Sequence, residues 1–258
     1  DRRFAALAAQ ARGRRPACPS AGTGVPSGSS VTGVIGRFPC IDISPVVECG
    51  RYPVKAVVGE TFPVSVTAFR EGHDAMSVEV QFQPPGSATT GLAIGDPDAL
   101  LLRMHEIGPM QPDRWTIDAQ LDREGDWNYY IITAGDPYET WKHKAEIKLP
   151  AGIDVELELE EGARVLDRAA AQAGSKHARK VLTEAAAAMR DTAETATQRL
   201  YAAEAPAVQA ALAEFPLREL AHLSGPWLVR DERPRALYGP WYEFFPRSEG
   251  ATLNPTRS

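Results

Sequence analysis

The chain has 258 residues, of which 43% are hydrophobic and 24% charged, with a formal net charge of −6. That is the composition of an ordinary globular chain of one or two domains. No run approaches the roughly 20 apolar residues that span a bilayer, so a spanning helix is excluded. The charge is not evenly spread: residues 1–33 carry +4, residues 34–150 carry −7 and residues 151–258 carry −3. An acidic body after a short basic start leaves no footprint for phosphates, so neither nucleic acid nor membrane is expected as a partner.

The first 33 residues are rich in Ala, Arg, Ser, Gly and Pro and hold little to bury. They read as a disordered leader, with an organelle transit sequence as the other reading. The chain does not begin with Met, which points to a processed or partial start.

From about residue 34 to 150 the signals are those of short strands. Residues 40–43 sit between Pro39 and Pro45 and read as an edge strand. Residues 56–58 follow. In residues 62–69, Phe62, Val64, Val66 and Ala68 share one face, and residues 77–82 alternate again. Residues 84–98 read as loop and residues 100–104 as one more strand. The stretch 115–149 organises this region. Trp115, Ile117, Ala119 and Leu121 alternate with polar residues, and residues 127–133 are apolar on both faces. Trp141, His143, Ala145, Ile147 and Leu149 alternate with Lys142, Lys144, Glu146 and Lys148. This predicts a three-stranded meander with 127–133 in the centre and Gly-Asp turns at its corners. Strands separated by turn clusters, with no helical period between them, indicate an antiparallel immunoglobulin-like sandwich.

Composition switches at Pro150-Ala-Gly152. Val155, Leu159, Gly162, Leu166, Ala169 and Ala173 recur at helical spacing. Gly174 ends that helix and Ser175 caps the next, which is lined by Val181, Leu182, Ala185 and Met189. Asp191 is the expected cap of a third helix and Pro206 the start of a fourth. Residues 151–225 therefore read as a helical bundle. Residues 226–250 are strongly apolar and aromatic, and Phe244 and Phe245 with Trp241 and Tyr242 fit a strand buried on both faces, as in a parallel sheet. No later strand follows it. Residues 251–258 read as a tail.

Little points to chemistry. His73, His105, His143, His177 and His222 show no metal-ligand spacing, and no phosphate loop, dinucleotide fingerprint or Gly-x-Ser-x-Gly is present. Neither a metal nor any cofactor is expected. Cys18, Cys40 and Cys49 form no Cys-x-x-Cys, and free thiols are expected. Asp96, Asp98, Asp113, Asp122, Glu124 and Asp126 fall in turns, where Asp is favoured for local hydrogen bonds, and no catalytic pair stands out. Trp115, Trp127 and Trp141 are in register with apolar neighbours and read as core rather than as a sugar-stacking platform. Tyr138, in the Gly-Asp-Pro-Tyr turn, reads as the exposed aromatic and the candidate carbohydrate contact.

Four stretches resemble the N-terminal region of GlgE-type alpha-1,4-glucan:maltose-1-phosphate maltosyltransferases. They are Val58-Gly-Glu-Thr-Phe-Pro-Val64 with Phe69-Arg-Glu-Gly-His-Asp74; Asp113-Arg-Trp115; Gly135-Asp-Pro-Tyr-Glu-Thr-Trp-Lys-His143 through Lys148-Leu-Pro-Ala-Gly-Ile-Asp154; and Glu160-Glu-Gly-Ala163 with Ala236-Leu-Tyr-Gly-Pro-Trp-Tyr-Glu-Phe-Phe-Pro-Arg-Ser-Glu-Gly250. The resemblance implies a β-sandwich N domain and a helical S domain, with residues 241–247 entering the first strand of an alpha-amylase-type (β/α)₈ barrel. It implies a cytoplasmic homodimer that, when complete, moves maltosyl units with retention from maltose 1-phosphate to an α-1,4-glucan. The family's Asp nucleophile and Glu acid/base lie on later barrel strands, so no catalytic residue carries over and the chain alone is expected to be inactive. Arg247 and Ser248 would lie at the rim of the cleft, the second and third candidate carbohydrate contacts. Ala134 departs from the family, which usually has Trp there, and the likeness stops after Gly250. An autonomous α-glucan-binding module and a purely structural dimeriser are the alternative readings.

Overall fold

The computed structural model describes residues 37–87 and 94–238. Nine strands are β1 Cys40–Ser44, β2 Val54–Val57, β3 Thr61–Ala68, β4 Met76–Gln83, β5 Leu100–Arg103, β6 His105–Gly108, β7 Gln111–Gln120, β8 Gly125–Gly135 and β9 Glu219–Glu232. Five helices lie between β8 and β9: α1 Pro137–Lys148, α2 Val155–Gln172, α3 Lys176–Met189, α4 Ala196–Glu204 and α5 Pro206–Glu214. The strands form a four-stranded sheet, β1-β3-β7-β6, and a five-stranded sheet, β2-β9-β8-β4-β5. All neighbours are antiparallel except β2 and β9.

The period-two residues explain the layering. Val64, Val66 and Ala68 of β3 and Ala119 of β7 face Val78, Val80 and Phe82 of β4 and Trp127, Tyr129 and Ile131 of β8 in one core. The rings of Phe62 and Phe82 meet edge-on across it, with centroids 6.1 Å apart. A second core belongs to the helices and centres on Trp141, Leu159, Leu166, Leu182 and Met189. No helix among the described residues is long and apolar enough to cross a membrane.

Several expectations are corrected. Residues 141–149 are not a strand; 141–148 belong to α1 and Leu149 is its C-cap. Trp141, Ala145 and Leu149 are buried, and a spacing of four satisfies both periods, two residues and nearly one helical turn. His143 and Ile147 are the positions that discriminate, and both are exposed, Ile147 by 62%. The helix is dictated at its start: Asp136 is the N-cap, its side chain accepting from the Glu139 N–H, and Pro137 occupies the first turn. The meander is also absent, because β7 and β8 belong to different sheets. Residues 127–133 are central, as expected, but between β4 and β9.

The helical part begins at Pro137 rather than after 150, and residues 226–232 belong to the second sheet rather than to a barrel. Strand β9 escapes the sequence reading because Gly225-Pro226 and two register shifts against β8 break its alternation. The short β6 was missed as well. Ser175 caps α3 and Pro206 opens α5 as expected, but the cap of α4 is Thr195, in a capping box with Gln198, and not Asp191. Trp127 and Trp141 are core, and Trp115 is half-buried against the sheet core with its indole N–H on the Ala68 carbonyl at 3.1 Å. Cys40 is a free thiol, whereas Cys49 is disulfide-bonded, against the expectation. The leader, the 241–247 strand and the tail lie outside the described residues.

Candidate functional site

A cleft of about 720 Å³ lies where the second sheet meets the helices. Strand β8 ends at Gly135, and Asp136 then turns the chain into α1. The backbone N–H of Asp136 donates to Ala75 O at 3.0 Å. Its carboxylate accepts from Glu139 N at 3.0 Å and from Arg103 Nη2 at 2.8 Å. Thr140 Oγ1 donates to Asp136 O and accepts from Ala75 N, at 2.8 and 2.9 Å. Arg70 donates to Asp74 Oδ2 at 2.9 Å and lies 5.5 Å over the Phe38 ring. From the helical side, Arg168 is ion-paired with Glu219. Trp141 donates its indole N–H to Glu158 O at 2.7 Å and rests on Gly162, where a Cβ would come within 2.2 Å of the indole ring.

Three of the four sequence stretches thus converge on one joint: Arg70 to Asp74, Gly135 to Trp141, and Gly162. Their residues act as caps, ties and packing, not as reactive groups. Among the described residues, no His, Ser or Cys lines the cleft, and the Thr140 hydroxyl is held at both ends. The lining mixes Arg37, Lys144 and the two paired arginines with Glu71 and Glu161. Such a surface can hydrogen-bond a hydroxyl-rich ligand or another protein surface; it lacks a nucleophile–base pair.

Tyr138 is not the exposed aromatic that its turn suggests. It is 4% exposed in the first turn of α1, its hydroxyl donating to Ala203 O at 3.0 Å and accepting from Gln209 Nε2 at 2.6 Å. A side chain so enclosed offers no face to a sugar. Arg247 and Ser248 fall outside the described residues. The joint itself escaped the sequence reading because its parts are tens of residues apart and none belongs to a catalytic residue type. Among the described residues, no group of three or more His, Cys, Asp or Glu is placed to hold a metal ion.

A second, shallower cleft of about 540 Å³ lies at the far end of β9, lined by Glu124, Gly125, Asp126 and residues 230–233. Asp231 is 2% exposed, and neither of its carboxylate oxygens has a hydrogen-bond partner. Burial, reinforced by the charges of Glu60, Asp122 and Glu124, pushes its carboxyl up to about 6. A carboxyl that holds its proton more tightly when folded stabilises the fold in acid. That contribution is complete below the ordinary carboxylate value of about 4 and is lost as pH rises through about 6. Asp231→Asn is therefore expected to stabilise the protein relative to wild type, by an increment that grows between those two pH values and is flat above them. Thermal melts across that range measure it; an increment independent of pH contradicts the assignment.

The comparisons with known proteins agree with the family resemblance. The family model for alpha-1,4-glucan:maltose-1-phosphate maltosyltransferase, domain N/S, matches residues 36–233. Maltosyltransferase 1 of Streptomyces coelicolor is 47% identical over 222 residues, covering 86% of this chain and 31% of that protein. Maltosyltransferase 2 of the same organism is 46% identical over 226 residues, covering 88% and 32%. The Mycobacterium tuberculosis H37Rv maltosyltransferase is 36% identical over 233 residues, covering 84% and 33%. The chain spans about a third of the length of the curated relatives it matches.

Proposed function

Because this chain belongs to the alpha-1,4-glucan:maltose-1-phosphate maltosyltransferase N/S-domain family, we propose that it forms the N-terminal, non-catalytic portion of such an enzyme. In that role it serves dimerisation and shapes the acceptor cleft during α-glucan synthesis from maltose 1-phosphate. The two-sheet part is then an immunoglobulin-like N domain, the five helices an S domain, and residues 241–247 the strand that opens a catalytic barrel. The phosphorylated donor fits a cytoplasmic setting. The observation that supports this reading is the joint: parts of three of the four stretches that resemble the family are spent on fixing helices to sheet, and among the described residues the cleft they line has no nucleophile–base pair.

The dimerisation role is supported by the surface around the α1–α2 turn. Ile147, Ile153 and Leu157, close in sequence about that turn, are 62%, 52% and 55% exposed, and exposed apolar side chains of this kind suit an interface with a second copy. Light scattering on the purified chain is expected to give the mass of a dimer. The double substitution Ile147→Glu/Leu157→Glu should return a monomer that keeps its helical circular dichroism. A wild-type chain that stays monomeric at high micromolar concentration contradicts the dimer. The reading as an autonomous glucan-binding module has lost its main support, since Tyr138 is enclosed.

A further inference from the structure

We propose that Asp231 is the seat for an arginine or lysine side chain carried by the domain that follows this one in the intact relatives. This rests on the reading of the chain as the front of a longer enzyme, and it adds where the remainder docks. Asp231 alternates with Val229 on the inward side of β9, and both are buried. Neither Asp231 oxygen is hydrogen-bonded. Among the described residues, the charges that act on it are of its own sign: Glu60 from the β2–β3 turn, and Asp122 and Glu124 from the β7–β8 turn. Nearby cations are committed elsewhere, Lys55 to Glu232 at 3.1 Å and Arg230 to Asp126 through two bonds of 2.7 and 3.0 Å. Arg233 lines the adjoining cleft without bonding to Asp231.

A carboxylate in this condition is either protonated or waiting for a cation. The acidic surroundings exclude an anion, and the described residues offer no third ligand for a metal. A guanidinium suits the vacancy in hydrogen bonding best, because its fork satisfies both carboxylate oxygens at once. The place fits the source. The family match ends at residue 233, two residues past Asp231, while the relatives extend to about three times the matched length. In an intact relative the chain therefore passes toward the next domain beside this carboxylate. A group tethered so closely is present at millimolar effective concentration, so a weak intrinsic affinity is enough.

The test is the titration of the Asp231 carboxyl carbon by nuclear magnetic resonance in the purified chain, with Asp231→Asn to assign the signal. Nα-acetyl-argininamide is expected to lower the midpoint by about one pH unit, whereas neutral Nα-acetyl-glutaminamide leaves it in place. An unchanged midpoint at high argininamide overturns the proposal. So does a wild-type midpoint in the ordinary carboxylate range that Arg233→Ala raises, since this chain's own Arg233 would then fill the seat. The titration needs no glucan, no sugar phosphate and no dimer. Its failure leaves the maltosyltransferase reading standing, and failure of that reading leaves the titration where it is.

Discussion

Trp141→Ala is expected to destabilise the protein by about 3–5 kcal/mol, the range for deleting a large aromatic from a packed core. The indole is 3% exposed and lies in the middle of the helical core. It bridges α1 and α2 in two ways, by stacking on Gly162 and by donating to Glu158 O at 2.7 Å. The Tyr138 ring supports it, with centroids 5.8 Å apart. Helices in proteins gain most of their stability from packing rather than from propensity, so losing the bridge loosens the whole bundle. Against a typical total of about 5–15 kcal/mol, the cost is a large fraction. Gly162→Ala should act in the same direction, because its methyl group would overlap the same ring and the Met189 methyl at 2.5 Å. Urea unfolding followed by helical circular dichroism measures both. A midpoint within error of wild type for Trp141→Ala would mean that the ring is not the pivot of the joint.

Arg218→Ala is the second large effect, and it acts at the other tie between helices and sheet. Arg218 follows α5 and reaches back to Glu79 on β4, with Nε–Oε2 at 2.6 Å and Nη2–Oε1 at 3.0 Å. Both side chains are largely out of solvent, at 16% and 5% exposure. Removing one partner of a buried pair leaves the other charge uncompensated, at a cost of about 3–5 kcal/mol. The pair itself contributes less than that figure, since desolvation offsets most of its attraction. Arg218→Met/Glu79→Leu should therefore recover most of the loss. If the double variant is as unstable as Arg218→Ala, the side chains matter for shape and not for charge.

What the sequence made legible follows from how local each signal is. The alternation in β3, β4 and β7, the two-faced apolar run of β8 and the helical period in α2 and α3 are written in consecutive residues, and the structure has a strand or helix at each. The segment from 141 to 149 was misread because Trp141, Ala145 and Leu149 obey both periods, while the deciding information lay four residues earlier, in the Asp136-Pro137 cap. Strand β9 depends on partners far away in sequence, and a Pro and two register shifts hide its pattern. The joint is the least legible part, since Arg70, Asp136, Trp141 and Gly162 carry no chemistry in common. Asp231 could not be read at all: one Asp among many is distinguished only by its burial without a partner, which is a property of the assembled sheet.

The most direct test of the central claim is an assay of phosphate release from maltose 1-phosphate by the purified chain, with an α-1,4-glucan acceptor present. A non-catalytic front portion is expected to release phosphate no faster than buffer alone. Sustained turnover that follows the amount of chain, and survives removal of any contaminating enzyme, would contradict that account and require a reactive centre of the chain's own.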